Sequence, residues 1–359
     1  MKPEELLASY GPRIRVDSRG LLNRALLFPE DLEKGLKEYS RLAGELKLPS
    51  DVSGVVIAGM GGSFIGGSFL HDVLYWHSRR PIIPMREATL PSYVNSDYML
   101  IAVSYSGNTE ETIRVLVEAR RRGLPTVGVA SGGLLEKLAA RWAIPFVKLP
   151  AGLPPRAAFP YMCAALSSIL EAAQLADNLL KELASAVEFL KASTSEALTL
   201  SDNLARWLHE QYAIGNSTII YSYRPYLSAG YRLKTQINEN AKLHAFFSEI
   251  PEANHNEIMG WEGPFRFSVI LVRGREEPAY LMHRLEFLKE LFAERGVNYA
   301  EARAEGGTLL QELLYLFYVF DVASILLSLL RGVDPAPTPT IDKLKKYLQE
   351  RVELPEEAK

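Results

Sequence analysis

The sequence predicts an α/β protein with two doubly wound parallel sheets and helices on both faces, and three features predict it. Short β-branched runs at 52–58, 81–86, 99–105, 125–130 and 145–149 alternate with helical patterns over 64–77, 109–122 and 133–142, as parallel strands with crossover helices do. The alternation returns after a long helical stretch, with strands expected at 217–223, 244–250, 266–273 and 297–303 and helices at 228–240 and 278–295. Two of the early strands run directly into glycine- or serine-rich turns that open helices, the places where open α/β sheets bind ligands.

In chain order, residues 1–45 carry spaced leucines among charged positions, as amphipathic helices do, with Phe28-Pro29-Glu30-Asp31 supplying a break and a helix start. The first strand–helix alternation ends at a proline-rich joint, Leu149-Pro-Ala-Gly-Leu-Pro-Pro-Arg156. Residues 308–331 read as one long buried helix, and Asp334-Pro-Ala-Pro-Thr-Pro-Thr340 as a stiff linker into a last amphipathic helix from Ile341. The expected segments are therefore an N-terminal helical part at 1–50, a first sheet domain at 51–155, a second at 156–333, and a linker with its helix at 334–359.

Composition narrows the function. A chain of 359 residues, 48% hydrophobic, has material for two cores, and a formal net charge of −3 leaves no basic excess for nucleic acid. The apolar stretch 309–330 is interrupted by Glu312, Asp321 and Ser324, which argues against a membrane span. Cys163 is the only cysteine, so no internal disulfide can form; it reads as a small core residue of a cytoplasmic protein.

Tyr98-Met-Leu-Ile-Ala-Val-Ser-Tyr-Ser-Gly-Asn-Thr-Glu-Glu-Thr112 carries the clearest chemistry. An apolar strand leads to hydroxyls at Ser104, Ser106, Thr109 and Thr112, Gly107 permits close backbone approach, and the amides of the next helix have no internal partners. That is an anion cradle. It lacks the lysine and spacing of a nucleoside-triphosphate loop, so a small phosphorylated metabolite is the expected ligand. Earlier, Ile57-Ala-Gly-Met-Gly-Gly-Ser-Phe-Ile-Gly-Gly67 forms a second strand-to-helix turn, but its glycines miss the G-x-G-x-x-G spacing and Ser63 occupies the turn. A sugar contact through Gly61, Gly62 and Ser63 is favoured over a nicotinamide site or an empty tight turn.

The two turns together, GMGGSFIGG and SYSGNTEET, resemble the sugar isomerase (SIS) domain family. The resemblance narrows at Asn238-Glu-Asn-Ala-Lys and Ala253-Asn-His-Asn-Glu-Ile with the following Gly260-Trp261. With PPRAAFPY at 154–161 and PTPTIDKLKKYL near the C-terminus, the chain is similar to bifunctional phosphoglucose/phosphomannose isomerases over nearly its whole length. The resemblance implies two flavodoxin-like SIS subdomains and no cofactor or metal. It implies Glu239 as the base moving a proton between C1 and C2, and His255 as the group that helps open the sugar ring. It further implies Arg156 against the enediolate, a functional lysine in the last helix, and a threonine near C3. Lys345 and Thr338 are taken for the last two roles, with Lys343, Lys346 and Thr340 as alternatives. A homodimer in which His255 reaches the partner's site is implied in the same way.

Residue chemistry agrees. Removing a weakly acidic carbon-bound proton needs a placed carboxylate, and moving a proton on a ring oxygen suits an imidazole. The six histidines, 71, 77, 209, 244, 255 and 283, show neither H-x-H nor H-E-x-x-H spacing, which disfavours a zinc enzyme. A sugar-phosphate-sensing regulator and the isomerase half of a glucosamine-6-phosphate synthase are the competing readings. The first 50 residues are too short for a convincing DNA-binding domain, and no glutaminase segment is present.

Overall fold

The computed structural model describes residues 1–275 and 277–359. Four helices open the chain: α1 (Pro3–Tyr10), α2 (Leu21–Leu26), α3 (Phe28–Tyr39) and α4 (Leu42–Glu45). The first alternation follows as β1 (Gly54–Ala58), α5 (Phe64–Leu74), β2 (Ile82–Met85), β3 (Tyr98–Val103), α6 (Glu110–Arg121), β4 (Thr126–Ala130), α7 (Gly133–Trp142) and β5 (Phe146–Lys148). Three helices come next: α8 (Phe159–Ala172), α9 (Leu179–Ala192) and α10 (Thr194–Ala213). The second alternation is β6 (Ser217–Tyr223), α11 (Leu227–Gln236), β7 (Ala245–Ile250), β8 (Phe267–Arg273), α12 (Ala279–Arg295) and β9 (Tyr299–Arg303), followed by α13 (Leu309–Leu330) and α14 (Pro339–Gln349).

Both sheets are parallel throughout, with orders β2-β1-β3-β4-β5 and β7-β6-β8-β9. Every residue of β1 is buried, as expected of a strand covered by helices on both faces. In the first sheet the order reverses between β1 and β3, which pair from Gly54↔Tyr98 to Ala58↔Ala102. This reversal leaves a crevice at the carboxyl ends of the two strands. The glycine turn after β1 and the serine turn after β3 both emerge there.

The chain forms two compact units that interleave along the sequence: Met1–Phe28 with Glu188–Pro337, and Pro29–Val187 with Thr338–Lys359. These divisions differ from the contiguous segments expected at 1–50, 51–155, 156–333 and 334–359, for reasons visible in single contacts. The N-terminus belongs with the second sheet: the Met1 amino group donates to Ser195 Oγ at 2.7 Å, the Tyr10 hydroxyl donates to Asp202 at 2.8 Å, and Phe28 stacks on Tyr318. Helix α8, by contrast, packs on α5 and α4, and its Tyr161 hydroxyl donates to Asp31 at 2.9 Å. After α14 the chain returns to α6, where Arg121 grips the Glu357 carboxylate with two bonds of 2.8 Å and Ala358 is buried beside Ile113 and Val117.

Helix α13 is the core of the second-sheet unit. It is long and apolar enough to cross a membrane, yet almost all of it is buried, packed against α2, α10 and α11. Cys163 is fully buried on α8, where burial pushes its thiol up to about 12. It is protonated and unreactive there.

Candidate active site

The serine turn is built as an anion site. Its anchor is Ser104, buried at the end of β3, whose hydroxyl lies 2.8 Å from Thr109 Oγ1 and accepts from the Thr109 amide at 3.3 Å. The Asn108 amide donates to Ser106 Oγ at 3.3 Å, and Ser106 is exposed. The amides of Ser106, Glu110, Glu111 and Thr112 have no acceptor among the described residues. Three of them are the orphan donors of the first turn of α6, aimed where an anion gains most from the helix dipole. Glu110 in that turn is paired with Arg114 at 2.7 Å, which offsets its charge. Thr112 differs from the other three hydroxyls. It is 1% exposed and its oxygen sits 3.5 Å from the Val103 carbonyl, so it points back to the strand.

The turn is clamped from both sides. Ser131, just past β4, donates to the Tyr105 carbonyl through its hydroxyl at 2.7 Å and its amide at 2.9 Å. Asn108 accepts from the Leu134 amide at 2.9 Å and donates to Ser106 O at 3.1 Å, tying the cradle to the start of α7. Gly107 has φ +70°, and a Cβ there would lie 1.7 Å from the Gly132 carbonyl oxygen. Asn108 and the Ser131–Gly133 segment were not singled out in the sequence. The signal was present, since Asn108 lies inside the cradle motif and a side chain carrying both an amide donor and an acceptor suits a clamp.

The glycine turn meets the cradle through Ser63, which is buried and accepts from the Tyr105 amide at 3.0 Å, leaving its own proton available to a ligand. Gly61 (φ +52°) is exposed, with open space where a side chain would stand. At Gly62 a Cβ would come within 3.1 Å of the Arg156 amide nitrogen, so the bare backbone lets the Pro155–Ala157 turn approach. Arg156 itself is 4% exposed. Gly61, Gly62, Ser63, Ser104, Ser106, Thr109 and Arg156 thus come together within one unit, at the switch point of its sheet.

Thr338 and Lys345 belong to the same unit. Thr338 is the N-cap of α14, ahead of Pro339 at the first helical position. Lys343, Lys345 and Lys346 are all exposed, so exposure does not choose among them, and Thr340 is exposed as well. The segment after α14 is tied to the cradle helix, because Arg114 Nη2 donates to the Glu353 carbonyl at 2.6 Å.

The acid–base segment lies in the other unit. Glu239, half-buried, sits on a π-helical turn, Ile237–Ala241, which continues α11. His255 ends a 3-10 turn, Glu252–His255, after β7; it is exposed and its ring has no partner among the described residues. Glu257 fastens this loop, accepting from the Tyr221 hydroxyl at 2.8 Å and Ser248 Oγ at 2.5 Å. Burial and the Glu257 charge push the Tyr221 hydroxyl well above its ordinary value, so it stays a neutral donor. Glu239 precedes β7 and His255 follows it. The six-residue strand lies between them in the chain. Among the described residues, no group of three His, Cys, Asp or Glu side chains is placed to hold a metal ion.

A doubly wound sheet with a hydroxyl cradle and a glycine turn at its switch point, accompanied by a second parallel sheet, defines the SIS class of sugar-phosphate proteins. The fold matches a hypothetical protein from Thermus thermophilus with a TM-score of 0.71 at 19% identity, covering 97% of this chain and 96% of the other. Residues 199–348 match the model of the bacterial phospho-glucose isomerase C-terminal SIS domain. A bifunctional phosphoglucose/phosphomannose isomerase from Aquifex aeolicus is 32% identical over 324 residues, 89% of this chain and 94% of the relative. One from Thermoplasma acidophilum is 31% identical over 331 residues, 91% and 99% of the two chains. The chain belongs to the bifunctional phosphoglucose/phosphomannose isomerase family.

Proposed function

We propose that the protein is a cofactor-independent aldose–ketose isomerase that converts glucose 6-phosphate and mannose 6-phosphate to fructose 6-phosphate through a cis-enediolate, working in the cytoplasm. The observation that carries this reading is one chain holding both a lysine-free phosphate cradle and a carboxylate on a specially wound turn, within a family whose members carry that name. Purified protein should form the ketose from either ester. Failure with both, in folded protein, removes the proposal.

In this mechanism Ser104, Ser106, Thr109 and the free amides of the turn hold the phosphate, with Thr112 securing the first turn of α6. Ser63 and the Gly61–Gly62 backbone contact the sugar. His255 moves the proton on the ring oxygen as the ring opens. Glu239 takes the proton from C2 and returns it to C1, and Arg156, a fixed cation, stabilises the enediolate oxygens as charge develops. Lys345 is our choice for the functional lysine of α14. No step needs a metal, so activity should survive prolonged EDTA treatment; loss on chelation with recovery on adding zinc would refute the mechanism.

Family resemblance supports a homodimer in which His255 serves the partner's site. Complementation tests this. His255→Ala and Glu239→Gln proteins, each nearly inactive, should regain turnover when mixed, unfolded and refolded together, because mixed dimers would restore one complete site. No recovery in verified mixed dimers would place both groups in the same subunit's site. His255→Ala should also lose more activity on cyclic substrate than on substrate supplied in open-chain form.

Substrate range is assigned to Thr338. The two aldose esters differ only at C2, and the enediolate has lost that stereochemistry, so one base serves both if the C2–C3 bond can rotate. A small residue near C3 leaves room for this. Thr338→Gln should lower mannose 6-phosphate turnover relative to glucose 6-phosphate by about 1–3 kcal/mol of barrier. A parallel change in both would move attention to Thr340.

A further inference from the structure

The turn carrying Glu239 is π-helical over Ile237–Ala241, wound wider than an α-helix. Such turns are rare and concentrate at functional sites. The local sequence does not impose this one, since no glycine or proline lies between Tyr231 and Leu243. Tertiary contacts do. Arg232, Gln236 and Asn240 recur every four residues along one face of α11 and its extension, and all three side chains are held by α13.

Asp321 is the centre. It accepts from Arg232 Nε at 2.8 Å and Nη2 at 2.7 Å, and from Gln236 Nε2 at 2.5 Å. Ser324, one turn along, donates to the Asp321 carbonyl at 2.9 Å and accepts from Asn240 Nδ2 at 2.9 Å. All five residues are buried. At the far end Lys242 adopts φ +55° and folds back, its ammonium donating to the Glu239 carbonyl and, at 3.2 Å, to that of Pro335. Arg331 donates to the Ala241 carbonyl. Residues on either side of Glu239 are therefore fixed, which fixes the backbone from which its carboxylate projects.

Burying a charge pair costs desolvation that its attraction only about cancels, and an apolar seam of similar volume is often as stable. Stability alone does not account for the network. What it supplies is register, because the bonds from Arg232, Gln236 and Asn240 to Asp321 and Ser324 are met together only at this winding. Were the turn to relax to α-helical winding by one residue, the carboxylate would swing by on the order of 100°.

We infer that Asp321 and Ser324 are positioning residues for the proton-transfer base, holding the π-helical turn so that Glu239 keeps its aim; this rests on Glu239 being the base. The test is kcat and KM for Ser324→Ala and Asn240→Ala, each made in the native sequence and in the Glu239→Gln background, with folding checked by circular dichroism. Both variants should lose about 10- to 100-fold in kcat, the scale for a misplacement near 1 Å. KM should change by less than about twofold, and the kcat loss should shrink to under about twofold when Glu239 is already glutamine, as for residues acting through a shared group. Ser324→Thr, which keeps the hydroxyl, should recover most of the activity. Undiminished kcat in a folded variant, while Glu239→Gln is inactive, would overturn the inference. So would an equal fold-loss in both backgrounds. Full turnover in Glu239→Gln would instead remove the base assignment, and the inference with it.

Discussion

Glu239→Gln should leave the protein folded and able to bind sugar phosphate while cutting kcat by at least about 10²-fold on both aldose esters. The substitution keeps the shape of the side chain and removes its basicity. Because the phosphate is assigned to the cradle after β3, substrate affinity should hold: KM should move far less than kcat. Steady-state kinetics with both substrates decides it, and near-normal turnover on either would exclude Glu239 as the base. Asn238 Nδ2 donates to the Leu243 carbonyl at 2.8 Å, tying down the neighbouring residue, so the glutamine has no evident route to a rearranged turn.

Gly107→Ala should be equally damaging by a different route. The new Cβ would sit 1.7 Å from the Gly132 carbonyl oxygen, so the backbone must move, and φ +70° adds strain of about 1–3 kcal/mol. Movement of the turn displaces the Ser106 amide and the Ser104–Thr109 pair together. Losing two charge-assisted bonds to phosphate, each worth about 1.5–3 kcal/mol, lowers kcat/KM by about 10²- to 10⁴-fold. Gly123→Ala is the control. It has a similar φ of +74° at the end of α6 but open space around the new methyl group, so it should lose stability without losing substrate affinity. If both variants bind substrate alike, the close packing of Gly107 is not what shapes the cradle.

Much of this architecture was legible in the residues. Strands buried on both faces leave continuous β-branched runs, and the expected 217–223 and 266–273 are observed as Ser217–Tyr223 and Phe267–Arg273. The cradle was legible because its hydroxyls and glycine are consecutive, so local sequence alone builds it. Long-range pairing was not. Interleaving of the two units depends on contacts such as Met1 with Ser195 and Tyr161 with Asp31, for which nothing in linear order gives a signal.

The site shows the same division. Residues 228–240 read as one helix, and the structure instead ends α11 at Gln236 and continues as a π-turn through Ala241. The periodicity of Arg232, Gln236 and Asn240 suits ordinary helix, and only their partners on α13, more than 80 residues away, explain the change in winding. Thr112 matched the cradle pattern by type, but its position in the first turn of α6 directs its hydroxyl to the strand.

Proton exchange with solvent during turnover tests the central claim most directly. Glucose 6-phosphate and mannose 6-phosphate would each be incubated with the metal-free protein in D2O and followed by NMR. Transfer through an enediolate on a carboxylate base predicts fructose 6-phosphate from both, with deuterium accumulating at C1 of the ketose and C2 of the aldose. Glu239→Gln should abolish both conversion and exchange. Ketose that stays free of deuterium over many turnovers, or exchange that persists undiminished in Glu239→Gln, would contradict the account.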